Sequence, residues 1–201
     1  MTDATGARAR RGSYPKGQQT RQRIVDEAVV VFGRSGVTAG SLREVATRVG
    51  VTPAGLMHHF ASKEELFAEV LRQRDERVRA AAGDPREHTL VEQMQKVVAH
   101  NATTRGLTSL YTLVVAEAGD PAHPSHQAFA ERYRRSAETA ADLLRAGQAV
   151  GEVRSDIDPA CAARLLSAVM DGLQQQWLLD DSVDMSALFA EFVRGYLRPL
   201  D

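Results

Sequence analysis

The sequence predicts an all-α fold, and three observations predict it. Apolar residues return every three or four positions along nearly the whole chain, the period of one helix face. Helix-start signals, Ser or Thr ahead of Glu or Pro, stand directly before several of those stripes. The breaks are short and built from Gly or Asp-Pro, and no run alternates apolar with polar residues as a half-buried strand would.

Residues 1–18 are rich in Arg, Gly, Ser and Thr and read as a disordered basic arm. The first helix starts near Thr20. Ile24, Ala28, Val31 and Phe32 form its stripe, and Gly36 supplies the stop. Ser41-Leu42-Arg43-Glu44 is a capping box that opens a short second helix with Leu42, Val45, Ala46 and Val49 on its apolar face. Gly50 suits the left-handed position that ends a helix. Thr52-Pro53 restarts one at once, with Thr as cap and Pro at the first helical position, and Ala54, Leu56, Met57 and Phe60 ride on it. Ser62-Lys63-Glu64-Glu65 is a second capping box, leading into Leu66, Phe67, Val70 and Leu71.

Five more stripes follow. They are Leu90 to Val98, Leu107 to Val115, Phe129 to Leu144, Ala162 to Trp177, and a last one over 185–197. Asp84-Pro85, Gly119-Asp120-Pro121, His123-Pro124 and Asp158-Pro159 punctuate them.

Composition sets the class. The 201 residues are 43% apolar and 25% charged, as in an ordinary globular protein. The net charge of −1 hides an asymmetry: residues 1–60 carry nine Lys or Arg against four acids, +5, and the remainder carries −6. A basic front on an acidic body is what a polyanion would meet, although a solvated asymmetry reads the same way. The single cysteine, Cys161, allows no intramolecular disulfide and fits a reducing compartment. Its place beside alanines at a helix start predicts a buried, inert thiol. The N-terminal arginines have no apolar run behind them, so a soluble cytoplasmic protein is expected.

Two short capped helices joined by Gly50-Val51-Thr52 have the form of a helix-turn-helix. In such a pair the second helix enters the major groove, which demands small side chains at its N-terminal end. Pro53, Ala54 and Gly55 meet that demand, and the helix's amide end suits a phosphate. Arg43 carries the paired donors that match a guanine edge, while His58, His59 and Lys63 fall where a groove wall would pass. Taken alone, this geometry leaves a helical hairpin used only for packing as an equal alternative.

The stretches TRQRIVDEAVVVFGRSG and SLREVATRVGVTPAGLMHHFASKEELFAEVL, within residues 20–72, resemble the DNA-binding domain of the TetR family in order and spacing. AGQAVGEVRSDIDPACAARLLSAVMDGLQQQWLL resembles one subgroup of these regulators more softly. The resemblance implies an N-terminal three-helix helix-turn-helix domain over 19–66. A helical-bundle ligand-binding and dimerisation domain follows over 67–201. It implies that Arg43 contacts a base or phosphate, that Thr52, Pro53, Ala54 and Gly55 form the tip of the recognition helix, and that His59 and Lys63 hold the backbone. Met57 departs from the family, where a Tyr commonly donates to a phosphate; a thymine methyl or simple packing suits Met better.

The family's last two helices pair with their copies across a two-fold axis, and the 162–177 and 185–197 stripes are the most apolar in the chain. Leu166, Met170, Leu173, Phe189, Phe192 and Tyr196 are the expected dimer interface. Met94, Asn101, Tyr111, Phe129, Tyr133, Gln174 and Trp177 are adaptable or polar-tipped residues suited to line a cavity, though each also suits plain core. His100, His123 and His126 are not expected to make a metal site, because Pro124 lies between the last two and no clear acidic or Cys partner stands near. No metal or other cofactor is expected.

No phosphate loop, Gly-x-Ser-x-Gly, His-Glu-x-x-His or Cys-x-x-Cys appears, so an enzyme is not expected. The expectation is a homodimeric transcriptional regulator, a ligand-released repressor of a palindromic operator, with double-stranded DNA and an unidentified small molecule as partners. The alternative is a ligand-binding or adaptor protein of the same fold without operator binding. Retention of Arg43, His59, Lys63 and the arm separates the two.

Overall fold

The computed structural model describes residues 13–84 and 86–199, and every regular element among them is an α-helix. Two compact units divide the chain between Gln73 and Arg74.

In the first unit, α1 (Ser13–Ala39) starts earlier than the sequence pattern suggests. Residues 13–18, expected in the arm, are its first turns; residues 1–12 lie outside the described residues. Gly36 interrupts α1 at φ 73°, a conformation open to glycine but costly for other residues. The chain then passes over Phe32 so closely that a Cβ on Gly40 would sit 2.5 Å from the ring's Cδ1.

The next helices are α2 (Leu42–Val49) and α3 (Pro53–His59). Ser41 caps α2 by accepting the Glu44 amide at 3.4 Å. Gly50, left-handed at φ 79°, closes it by donating to Ala46 and Thr47 carbonyls. Thr52 caps α3 through the Gly55 amide at 3.0 Å. Ahead of α4 (Lys63–Ala82), Ser62 accepts the Glu65 amide. The Glu65 carboxylate reaches back to the amide of Ala61 at 2.7 Å, one residue further than a standard box.

The buried set of this unit comes from Ile24, Val25, Ala28, Val31 and Phe32 of α1, Val45, Ala46 and Val49 of α2, Leu56 of α3, Phe60, and Leu66, Phe67 and Val70 of α4. Phe32 and Phe67 meet edge to face at 6.4 Å. Glu69 and Gln73 bond to Arg21 and Gln22 of α1. These ties carry the unit past the expected boundary at 66, through Gln73.

The second unit holds the rest of α4, then α5 (Leu90–Thr103), α6 (Arg105–Glu117), α7 (His126–Ala149), α8 (Pro159–Leu179) and α9 (Met185–Tyr196). Thr89 and Glu92 form a full capping box for α5. Asp158 caps α8 with Pro159 at its first position, so this Asp-Pro is a helix start as well as a break. α7 packs on α8, α5 on α9, and α8 on α9. Their core contains Val98, Ala141, Leu144, Ala162, Ala163, Leu166, Leu173, Met185, Phe189 and Val193.

That core corrects the expected dimer interface. Leu166 and Phe189 are fully enclosed by their own protomer and present no surface to a second copy, and Leu173 is only 8% exposed. Met170, Phe192 and Tyr196 pack partly buried against the same core, the last two stacked at 5.3 Å. The apolar side chains that α8 and α9 leave exposed are Leu165, Leu179 and Leu188. Periodicity locates an apolar stripe, but a stripe wide enough for both a core and an interface does not say which edge faces which. Cys161 is likewise exposed rather than buried, and the hydrogen bond that its thiol donates to Asp158 at the helix start pushes its pKa up.

Candidate nucleic-acid interface and ligand cavity

α3 is anchored by one side chain. Leu56 is buried, while Thr52, Pro53, Ala54, Met57 and His58 are exposed and Gly55 and His59 are half-buried. Gly55 is small for a local reason: a Cβ there would stand 3.2 Å from the Thr52 hydroxyl that caps the helix. His58 and His59 meet edge to face at 5.8 Å. Met57, 44% exposed, puts a thioether on the outer face.

The structure sorts the basic front. The Arg21 guanidinium lies 4.4 Å over the Phe60 ring and pairs with Glu69 at 2.9 Å. Arg23 donates to the Val49 carbonyl at 2.6 Å, binding the C-terminal end of α2. Arg48 pairs with Glu27 at 2.6 Å, and Lys63 donates to the Gly40 carbonyl at 3.2 Å. The three arginines serve the fold, and Lys63 is tied to it through the α1–α2 loop. Arg34 and Arg43 are exposed with no side-chain partner among the described residues, and Arg43 stands on the first turn of α2. Charge counting cannot make this distinction, because it weighs Arg23 and Arg43 alike.

In the second unit a cavity of about 770 Å³ opens among α4, α5, α7 and α8. Met94, Tyr111, Tyr133 and Gln174 line it as expected. Asn101, Phe129 and Trp177 do not. Asn101 is buried between α5 and α6 with its Nδ2 unpartnered, and Phe129 is buried against Tyr111 at 5.9 Å. Trp177 lies 4.9 Å beneath the Arg105 guanidinium.

The sequence reading missed the charged group in this cavity: Arg74, Asp75, Arg132 and Asp171. Arg132 grips Asp75 with two bonds of 2.5 and 2.6 Å. Arg74 lies 3.9 Å over the Tyr111 ring, and Tyr133 donates its hydroxyl to Asp171 at 2.7 Å. Burial lowers the pKa of Arg74, while the Asp75 hydrogen bonds raise that of Arg132. Burial works to raise Asp75, yet the Arg132 bonds outweigh it and hold the carboxyl below its ordinary range. Burial lifts both Tyr133 and Asp171 above theirs. The missed signal was positional. Arg74 continues the Phe67–Val70 stripe of α4 at helical spacing, so a charged residue occupies an apolar register.

A larger hollow of about 1020 Å³ lies beside the start of α5 and the end of α7. Several of its polar groups are paired with one another or with neighbours: Arg86 with Asp84, Thr89 with Glu92, and His88 with Lys96. The smaller cavity, with convergent and incompletely paired groups, better fits a ligand site. His123 and His126 are spent locally, on the Ser125 amide and the Ala118 carbonyl.

Residues 24–70 match the family model described as bacterial regulatory proteins, tetR family. Residues 86–199, more than half of the chain, match that of the BetI-type transcriptional repressor C-terminal domain. The chain belongs to the TetR family. It is a DNA-binding transcriptional regulator with a helix-turn-helix domain, and the family is one of regulators rather than enzymes. This TetR-family regulator is 28% identical over 181 residues to the transcriptional regulator UidR of Escherichia coli, covering 89% of each chain. It is 26% identical over 178 residues to the transcriptional repressor Rv1474c of Mycobacterium tuberculosis, covering 89% of this chain and 92% of that one. A transcriptional regulator from Saccharomonospora viridis, solved in complex with choline, superimposes with a TM-score of 0.74. It shares 25% identity and is covered in full by 91% of this chain. Members of the family bind DNA operators and small-molecule effectors as dimers. No described helix is long and apolar enough to cross a membrane.

Proposed function

We propose that this regulator is a homodimeric, cytoplasmic repressor that holds a palindromic operator and releases it when a small molecule fills the cavity of the second unit. One observation carries the reading: α3 buries only Leu56 and turns Thr52, Pro53, Ala54, Met57 and His58 outward, with the unpartnered Arg43 on the first turn of α2. Small side chains at the tip let the backbone approach the bases, and Arg43 supplies the bidentate donors that select guanine. Met57 packs on a thymine methyl. Gly55, His58 and His59 follow the groove wall. Lys63 shares its ammonium between the Gly40 carbonyl and a phosphate, which joins the α1–α2 loop to the DNA.

Two copies associate through α8 and α9 along Leu165, Leu179 and Leu188, the exposed apolar side chains of those helices. Met170, Phe192 and Tyr196 border this surface. Met94, Tyr111, Tyr133 and Gln174 contact the effector. The choline complex of the Saccharomonospora viridis regulator supports a small organic molecule as the occupant. Effector binding favours a dimer whose recognition helices no longer match successive major grooves, with a coupling of about 1–3 kcal/mol.

The test is titration onto labelled DNA from directly upstream of the protein's own gene, against random DNA, at two salt concentrations. Preferential, salt-sensitive binding is expected. Equal, weak binding to both would contradict operator recognition there.

A further inference from the structure

We propose that the cavity takes an organic anion, a carboxylate with an apolar body, and that Arg74 is its anchor. This rests on reading the cavity as the effector site and adds the chemical class of the occupant.

Arg74 is a charged side chain with little left to hold it. It is 9% exposed and lines the cavity. A guanidinium has five N–H donors. Arg74 makes one hydrogen bond, a long one of 3.4 Å to Oδ1 of Asp75. Asp75 is committed elsewhere, since Arg132 takes both its oxygens at 2.5 and 2.6 Å. Asp171, the other acid of the cavity, accepts the Tyr133 hydroxyl and feels the Arg74 charge only at a distance, with no hydrogen bond between them. A buried cation so poorly paired is costly, and an anion with two oxygens removes the cost by bidentate hydrogen bonding.

The rest of the lining agrees. Four arginines line the cavity, Arg74, Arg79, Arg132 and Arg135, against Asp75 and Asp171; Arg79 and Arg135 are exposed and Arg135 pairs with Glu131, which leaves Arg74 and Arg132 as the enclosed cations. A quaternary ammonium would need an open aromatic face and an unspent carboxylate. The face of Tyr111 is taken by Arg74 at 3.9 Å and Arg132 at 5.5 Å. Val78, Leu90, Met94, Val97, Leu143 and Met170 supply apolar wall for the body of the ligand.

The experiment is calorimetric titration of the full-length protein with octanoate and 4-phenylbutyrate, their amides, and choline. Three variants accompany wild type: Arg74→Gln, Arg74→Lys, and Ser167→Trp, which fills the cavity. The carboxylates are expected to bind at least about tenfold more tightly than the amides or choline. Arg74→Gln should erase that preference while the protein stays folded, and Arg74→Lys should restore it in part, as a charge without the fork. Ser167→Trp should abolish binding. Amides or choline binding as tightly as the carboxylates, and blocked by Ser167→Trp, would overturn the anion assignment and leave the cavity as the effector site. Binding indifferent to Ser167→Trp, or no binding by any probe, would overturn both. The wild-type ratio of carboxylate to amide decides the class even if Arg74→Gln does not fold.

Discussion

Leu165 and Leu166 are neighbours on α8 with opposite assignments, and truncating each separates folding from association. Leu166 is 0% exposed, within the cluster that holds Ala163, Phe189 and Val193. A Leu→Ala change in a closed core costs about 2–5 kcal/mol, and complete burial places this site near 3–4. For a chain of this length each kcal/mol moves the midpoint by about 2–4 °C, so Leu166→Ala should lower it by roughly 6–16 °C. Leu165 is 45% exposed in the protomer. Full burial of a leucine yields about 1.5–3 kcal/mol, so roughly 1 kcal/mol per protomer remains for an interface. Two-fold symmetry doubles this to roughly 2 kcal/mol, about 30-fold in the dimer dissociation constant. Melts over a range of concentrations, with analytical ultracentrifugation, read both effects. Leu166→Ala should melt lower at every concentration, whereas Leu165→Ala should weaken the dimer and steepen the concentration dependence. A Leu165→Ala dimer within about threefold of wild type, or a Leu166→Ala protein that melts normally, would refute the assignment of these two faces.

The first unit gives four further outcomes. Arg43→Ala should weaken specific DNA binding by about 1–3 kcal/mol; equal loss on random DNA would make it a phosphate contact instead. Arg23→Ala removes the bond to the Val49 carbonyl and should cost about 1 kcal/mol of stability, with DNA affinity of the folded protein unchanged. Gly40→Ala would drive a methyl into Phe32 and the Gly36 carbonyl, and a loss of about 1–3 kcal/mol is expected on melting. Hydrogen bonds from Arg72, then Arg21 and Gln73, hold the Glu69 carboxyl well below its ordinary range. A carboxylate depressed in the folded state stabilises at pH above its unfolded pKa, and that stability is lost as pH falls through the folded value. Melts from pH 7 into the acid range should therefore show a steeper decline for wild type than for Glu69→Gln, beginning below about pH 4.5.

How much of this was legible in the sequence depends on what each residue does. The caps were legible because they are local: Ser41, Thr52 and Ser62 each sit three residues before the amide they accept. Gly36 and Gly50 were legible because left-handed backbone has few other occupants. The expected start of α1 was late because residues 13–18, which include Pro15 and Gly17, carry neither an apolar stripe nor strong helix propensity to read. The boundary near 66 was early because Phe67, Glu69, Val70 and Gln73 belong to the first unit through contacts with residues some fifty positions earlier, as Gln22 with Gln73 shows. At the candidate site, the outward face of α3 followed from its short span and small residues. The Arg74–Asp75–Arg132 group did not, because its pairing crosses from α4 to α7 and charged residues on helices usually face water. The buried members of the expected dimer set were illegible for a related reason: Leu165 and Leu166 are equally apolar, and only the packing of α8 on α7 and α9 tells inside from outside.

The most direct test of the account is selection of binding sites from a random duplex library by the purified full-length protein, followed by affinity measurement on the recovered sites. The account predicts enrichment of a two-fold symmetric site with half-sites one helical turn apart or a multiple of it, bound by dimers, and an enrichment that collapses in Arg43→Ala. Recovery of no symmetric sequence, or an unchanged site with Arg43→Ala, would contradict the placing of α3 and the start of α2 against the bases.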